Sequence, residues 1–381
     1  MSVYLDNAAT SWPKPEAVYR AVSRFMRHVG ATPGRGGHRR EAKASQIADN
    51  ARAALATLFH APDPQGIAFT LNATQAINMA LKGILRPGDH VITSSIEHNA
   101  VWRPLKALER DGVAVTAVPC APDGALDPAA LEAVIQPNTR LIAMLHASNV
   151  LGTLLPVAAI GAVARGHGIL FLVDAAQTAG AYPIDMESMC IDLLAFPGHK
   201  GLYGPHGTGG LVVRPGIALE TWIEGGSGVE SSLETVPETL PERLEAGTQN
   251  AAGIAGLLAG VRFVLAAGVA QIRAHELALT GLLIEELARI PNLRVLGPGD
   301  LDQRIAAVAV TVEGYVPEQL ADVLDQAFDI ATRAGLHCAP QAHRAAGTLV
   351  HGALRFSPGY FNTAAEVLCA AEALRSIVGG G

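Results

Sequence analysis

Charge is scarce in this chain of 381 residues: Asp, Glu, Lys and Arg together make up 17% of it, and the basic residues never gather into a run. With a formal net charge of −7, the surface has no cationic footprint for nucleic acid or an anionic membrane, so a small molecule is the expected partner. Cysteine is also sparse. Its four copies form no C-x-x-C and no paired metal-ligand spacing, which argues against zinc and a redox dithiol and leaves no metal expected. The opening residues, MSVYLDNAAT, lack the basic start and apolar stretch of a secretory signal, so a cytoplasmic location and reduced thiols are expected. One long apolar stretch exists, residues 251–272. It carries Arg262 at its middle and is rich in Ala and Gly, which fits an interior helix better than a membrane span. No G-x-G-x-x-G follows an early strand, against a nicotinamide enzyme, and there are no heptads or short-period repeats.

What the chain does have is apolar mass. At 49% hydrophobic it can bury a large core, and its length suggests about two domains. Short apolar runs that read as buried strands, GIAFTL, HVITS, RLIAML, GILFLV and DLLAF, alternate with helical patterns. That alternation is the mark of an α/β fold with a mostly parallel sheet and helices on both faces. In TQAINMALKGIL, Ile77, Ala80, Leu81, Ile84 and Leu85 share one stripe, with Thr74 expected as N-cap. After about residue 260 the texture changes to a smaller α+β set: NLRVLG, RIAAVAVTV, EQLADVLDQAF and EVLCAAEALRSIV. The expected division is a large domain over 16–258 and a small C-terminal one over 259–381, the latter joined by residues 1–15.

The polar residues fall where such sheets bind ligands, beyond the carboxyl ends of the strands. HVITSSIEHNAV delivers His98, RLIAMLHASNVLG delivers His146 and Asn149, ILFLVDAAQ delivers Asp174 and Gln177, and DLLAFPGHKG delivers His199 and Lys200. Singly, each has a plainer explanation: Asp174 as a helix cap, His98 as a loop residue, Lys200 as a solvated charge. Four coincident strand ends are harder to dismiss. Lys200 stands among six glycines and two histidines in FPGHKGLYGPHGTGGL, where glycine permits close backbone approach to a ligand. A lysine able to form an imine, an acid to hold a ring nitrogen protonated, a flat side chain to stack and a helix N-terminus for phosphate together describe a site for pyridoxal phosphate. On this reading Asp174 pairs with the ring nitrogen, His98 stacks, and Gln177 meets the phenolic oxygen. Lys200 is kept neutral by crowding or by a cation such as His199.

YLDNAAT, EHNAV, SNVLGT, VDAAQ, GHKGLYGPHGTG, EAGTQN and RAGLHCA occur in an order that resembles the class V aminotransferase-fold enzymes, specifically cysteine desulfurases, over nearly the whole chain. The short spacing around RAGLHCA is similar to the SufS-like, type II branch. The resemblance implies the fold type I architecture of pyridoxal-phosphate enzymes. It implies that Lys200 bonds the cofactor and that Ala73, Thr74 and His199 hold its phosphate. It gives Asn149 and Arg355 to the substrate carboxylate. It sets Gly247 and Thr248 against the phosphate in a neighbouring subunit, hence a homodimer. L-cysteine is the implied substrate, with an acceptor protein or thiol taking the sulfur onward, as in iron–sulfur cluster assembly.

The cysteines separate a desulfurase from its relatives. Cys369 lies in the apolar pattern of a C-terminal helix and reads as core, and Cys120 and Cys190 flank strands and read as inert. Cys338 differs. In TRAGLHCAPQAHR it has Arg333, His337, His343 and Arg344 nearby in sequence, a setting that favours thiolate over thiol, so Cys338 is expected to receive the sulfur. Departures from the family pattern are Pro197 for a hydroxyl residue, Gln75 for Glu, the extra Gly201, Leu336 for His and Phe361 for Tyr. Rival readings are a selenocysteine lyase, a cysteine sulfinate desulfinase or a class V aminotransferase. Outside enzymes, the rival is a catalytically silent sensor or assembly subunit.

Overall fold

The computed structural model describes residues 2–34, 37–230 and 232–379. Elements are numbered in chain order. β1 (Val3–Tyr4) opens the chain, and β2 (Ile67–Thr70), β3 (His90–Ser94), β4 (Ala114–Val118), β5 (Thr139–Leu145), β6 (Leu170–Asp174), β7 (Leu193–Pro197) and β8 (Gly209–Val213) form one sheet in the order β2-β8-β7-β6-β5-β3-β4. Pairing is parallel from β7 through β6, β5 and β3 to β4, and antiparallel only where β8 meets β7 and β2. Its strands alternate between two apolar faces with the period of two that a pleat dictates. Ile142, Met144, Phe171, Val173, Leu194 and Phe196 pack into one core, and Leu141, Ala143, Leu172, Leu193 and Ala195 into another.

Those cores need helices on both sides. The helices are α1 (Glu16–Arg24), α2 (Arg39–Phe59), α3 (Ala73–Ile84), α4 (Asn99–Arg110), α5 (Pro128–Glu132), α6 (Val157–Gly166), α7 (Ala251–Ala267), α8 (Val269–Leu287), α9 (Pro317–Phe328), α10 (Pro340–Ala345) and α11 (Ala364–Gly379). Residues of α2, α6 and α7 fill the first core, and residues of α3 and α4 the second. The expected division at 258/259 falls inside α7, which runs unbroken; the chain turns instead at Gly268, where α7 and α8 meet at 80°. Among the described residues no single helix is long and apolar enough to cross a membrane.

A second sheet, β9 (Leu293–Val295), β10 (Val308–Val312), β12 (Arg333–Gly335) and β13 (Ala353–Phe356), is antiparallel in the order β12-β13-β10-β9. Its third core draws on α8, α9 and α11 and takes in Val3 and Leu5, because β1 pairs in parallel with β11 (Ile330–Ala331). Cys369 corrects the sequence expectation. It is exposed on α11, since the buried stripe there is Val367, Ala370, Ala371 and Leu374.

Candidate active site

Each strand of the parallel block ends at the same edge, and the side chains there are built in from below. Asp174 closes β6, is 4% exposed, and its Oδ1 accepts one hydrogen bond, from Ala176 N at 2.9 Å. Burial pushes its carboxyl up to about 6, opposed by that hydrogen bond and by Lys200, so it stays mostly ionised at neutral pH. Three residues past the end of β7, Lys200 has its amine pushed down to about 8, first by burial and then by the Arg355 guanidinium. The cation responsible is therefore Arg355. His199, expected in that role, is itself neutral, held down to about 3 by burial and by Lys200.

His98 is more than a loop residue. It is the N-cap of α4, its Nδ1 accepting from Ala100 N at 3.0 Å, which leaves the proton on Nε2. Burial, then Lys200, holds it down to about 4, so the ring is neutral. Gln177 Nε2 donates to Ala8 O at 3.0 Å. His146 belongs to the packing: it is 2% exposed, with its ring edge-on to Tyr182.

The N-terminus of α3 also corrects an expectation. Asn72, not Thr74, is the N-cap; its Oδ1 accepts from Gln75 N, and Gln75 Oε1 accepts from Leu71 N at 2.7 Å. Gln75 thus reaches back past the cap to the N–H of the residue before it, a variant of the capping box in which an amide is the acceptor. The cap satisfies Gln75 N and Ala76 N. The N–H groups of Ala73 and Thr74 are the remaining donors of that first turn. Thr74 cannot cap from inside the turn, yet its position suits anion binding.

Of the two residues expected to meet the substrate, Asn149 follows β5 of the large sheet and Arg355 comes from the small one. Arg355 on β13 is 2% exposed; its Nη1 donates to Asn149 O and its Nη2 to Asp6 Oδ1, both at 2.8 Å. Its buried Nε has no partner among the described residues. Arg333 sits directly across from Arg355 on β12 and meets the other Asp6 oxygen at 3.3 Å. Asn149 Nδ2 donates to His337 O at 2.7 Å, and Asn99 N donates to Cys338 O at 2.9 Å. The Cys338 turn is thereby tied to the large sheet beside His98. His337 and Cys338 both hold positive φ, 51° and 56°, a strained conformation for residues with a Cβ, which those contacts maintain. The thiol is exposed. Its basic neighbours are engaged elsewhere: Arg333 with Asp6, His337 with His343, and Arg344 with Gln341.

Gly247 and Thr248 are exposed. Their segment is anchored by Glu245, which takes both its oxygens to Arg52 and accepts from Phe69 N at 2.7 Å.

A strap of the N-terminal segment closes on the lysine loop. The His199 carbonyl accepts from Thr10 Oγ1, Ser11 N and Lys14 Nζ, the last at 2.6 Å, and Ser11 Oγ donates to Lys200 O at 2.8 Å. Lys14 is pushed down to about 8 by burial. Its one sequence signal was a lysine between two prolines in SWPKP.

These residues fit pyridoxal phosphate. A buried carboxylate with a single hydrogen bond needs a cationic N–H partner. The buried Nδ1 of His199 has no partner among the described residues, and with the free N–H groups of Ala73 and Thr74 it supplies donors for a phosphate. A parallel sheet with a neutralisable lysine beside a buried aspartate at its carboxyl edge defines the fold type I class of pyridoxal-phosphate enzymes. The chain belongs to the aminotransferase class-V family, which it matches over residues 3–369. It is 34% identical over 385 residues to a probable cysteine desulfurase of Methanothermobacter thermautotrophicus, covering 100% of this chain and 95% of the relative. A cysteine desulfurase of Salmonella agona is 36% identical over 346 residues, 88% of this chain and 84% of the relative. Among solved structures, the apo cysteine desulfurase of Thermococcus onnurineus NA1 superposes with a TM-score of 0.94 at 31% identity, covering 100% of this chain and 95% of that one. The cysteine desulfurase CsdA of Escherichia coli gives 0.88 at 31% identity, covering 98% and 93%.

Proposed function

We propose that this protein is a cysteine desulfurase that converts L-cysteine to L-alanine and leaves the sulfur as a persulfide on Cys338. The observation that carries this is the exposed Cys338 thiol on a strained turn tied by hydrogen bonds to Asn149 and to Asn99, the neighbour of His98. Pyridoxal phosphate, bonded to Lys200 and paired with Asp174, supplies the electron sink that lets an amino acid release its Cα proton.

The chain's own residues do the rest. The unpartnered Nε–H of Arg355 takes the L-cysteine carboxylate, and the Asn149 contact fixes the arginine's orientation. Lys200 Nζ, brought down to about 8, has enough free amine at neutral pH to carry the Cα proton away and return it. Cys338 Sγ attacks the substrate sulfur: the Cβ–S bond breaks, an S–S bond forms on Cys338, and the carbon skeleton leaves as L-alanine. No outside oxidant is needed, because one thiol and one C–S bond become one persulfide and one C–H bond. The Asn99–Cys338 contact keeps His98 close to that turn, so its Nε2–H serves the proton exchanged at sulfur.

The exposure of Gly247 and Thr248 supports a homodimer in which each completes its neighbour's phosphate site. The short turn at 336–339 supports the SufS-like branch, with delivery to a cytoplasmic acceptor for iron–sulfur cluster assembly. The test is incubation of cofactor-loaded protein with L-cysteine and a reductant, measuring alanine and sulfide and mapping the persulfide. Equal alanine and sulfide with a persulfide at Cys338 is expected. Unchanged desulfuration in Cys338→Ala defeats the reading.

A further inference from the structure

Behind Cys338 lie two buried imidazoles that the reaction above does not use. His337 is 8% exposed and His343 0%, and their ring planes lie within 13° of each other with centroids 5.5 Å apart, nitrogen facing nitrogen. His337 Nε2 lies 3.2 Å from Arg333 O, His337 Nδ1 lies 3.3 Å from His343 Nε2, and His343 Nδ1 lies 2.8 Å from Thr348 Oγ1. A carbonyl only accepts, so His337 Nε2 carries a proton and donates to Arg333. A neutral His337 then presents a lone pair at Nδ1, and only a proton on His343 Nε2 avoids two lone pairs face to face. His343 Nδ1 is left as an acceptor, so the Thr348 hydroxyl donates to it. Every proton in the series is fixed by the carbonyl at its end.

We propose that Thr348 and His343 are positioning residues for Cys338: their one-way hydrogen-bond chain locks His337 in its left-handed conformation and so sets where the Cys338 thiol is presented. The proposal rests on the reading of Cys338 as sulfur acceptor. The surroundings keep both rings neutral. Burial holds His337 down to about 3, helped by Arg355 and opposed by its hydrogen bond to Arg333 O, with His343 and the Arg333 charge adding to the depression. Burial alone holds His343 down to about 4. A cationic His337 would need His343 to turn to its Nδ1–H form and the Thr348 hydroxyl to accept, reversing the chain. The one-way order is therefore lost if either ring gains a proton or if Thr348 loses its hydroxyl.

Nitrogen-15 histidine spectra of the holoenzyme at pH 7 are expected to show two neutral rings at 337 and 343, both protonated at Nε2; a cationic ring or an Nδ1–H form at either position overturns the chain. Thr348→Val keeps the shape and removes the donor, and Thr348→Ser restores the donor. In Thr348→Val the single-turnover rate of Cys338 persulfide formation is expected to fall about threefold to tenfold, the effect of one neutral hydrogen bond. KM for L-cysteine stays near the wild-type value, and Thr348→Ser recovers the rate. A Thr348→Val rate equal to wild type, or no recovery in Thr348→Ser, refutes the positioning role. Cys338 alkylation by iodoacetamide needs no turnover. It is expected to change in Thr348→Val and return in Thr348→Ser, and a constant rate counts against the proposal even if the desulfurase reading fails.

Discussion

Replacing Lys200 with methionine is expected to stabilise the cofactor-free protein at pH 7. The amine's pKa lies at about 8 in the fold against 10.5 ordinarily, with burial the first cause and Arg355 the second. That gap corresponds to about 3 kcal/mol of penalty for holding the charged form in place. The side chain keeps some exposure, so solvent screening trims this to about 2–3 kcal/mol. Because the folded pKa is depressed, the unfolded chain binds the proton more tightly between pH 8 and 10.5, and wild-type stability rises with pH across that window. Methionine has the stem and no charge, so its advantage is complete below pH 8 and disappears by about pH 10.5. An unfolding entropy of about 2.1 cal/mol/K per residue over 381 residues gives about 0.8 kcal/mol/K, and hence a rise in Tm of about 3 °C at pH 7. The assay is thermal unfolding of cofactor-free wild type and Lys200→Met at pH 7 and pH 10. A variant less stable than wild type at pH 7, or equally favoured at both pH values, refutes the argument that buried charge lowers the lysine pKa.

Glu97 provides the opposite sign. It is fully buried, and burial, opposed by Ser94 and Leu145 N, pushes it up to about 8, so the folded protein holds a proton that the unfolded chain releases above 4.5. Wild-type stability should decline relative to Glu97→Gln by up to about 1.4 kcal/mol per pH unit from pH 4.5 to 8. A pH-independent difference in urea midpoints would contradict it. Gly161→Ala, inside α6, would normally gain about 1 kcal/mol of helix propensity. Here the added Cβ runs into the Met189 carbonyl oxygen, so a loss in denaturation midpoint is expected, and any gain would show that the backbone of residues 189–190 yields.

The sheet was legible because most of its strands, the edge strand β2 included, are buried on both faces and so read as unbroken apolar runs: β2, β3, β5, β6 and β7 all form where those runs fall. β4 and β8 were not among them. β4 is the opposite edge and partly exposed, which dilutes its pattern, and β8 opens with two glycines whose spaces are filled by Phe196 and by the Asn72 backbone. The site residues at the strand ends were legible for the same topological reason. The partnerships were not. That Arg355 and Arg333 share Asp6 depends on pairing across β12 and β13, which local periodicity does not encode.

The N-terminal motif YLDNAAT illustrates how a short segment can serve several distant partners. Its first residues extend the small domain through β1 and β11, and Asp6 then neutralises the paired arginines of β12 and β13. Two residues later Ala8 O receives Gln177, and Thr10, Ser11 and Lys14 close on the carbonyls of His199 and Lys200. One short segment thus touches both Arg355 and the Lys200 loop, which arise from separate sheets. Main-chain carbonyls bonded this heavily do not move independently of their donors. Asp6 and the donors to the His199 and Lys200 carbonyls belong to one short segment, so the arginine pair of the small sheet and the lysine loop of the large one are tied to each other through it.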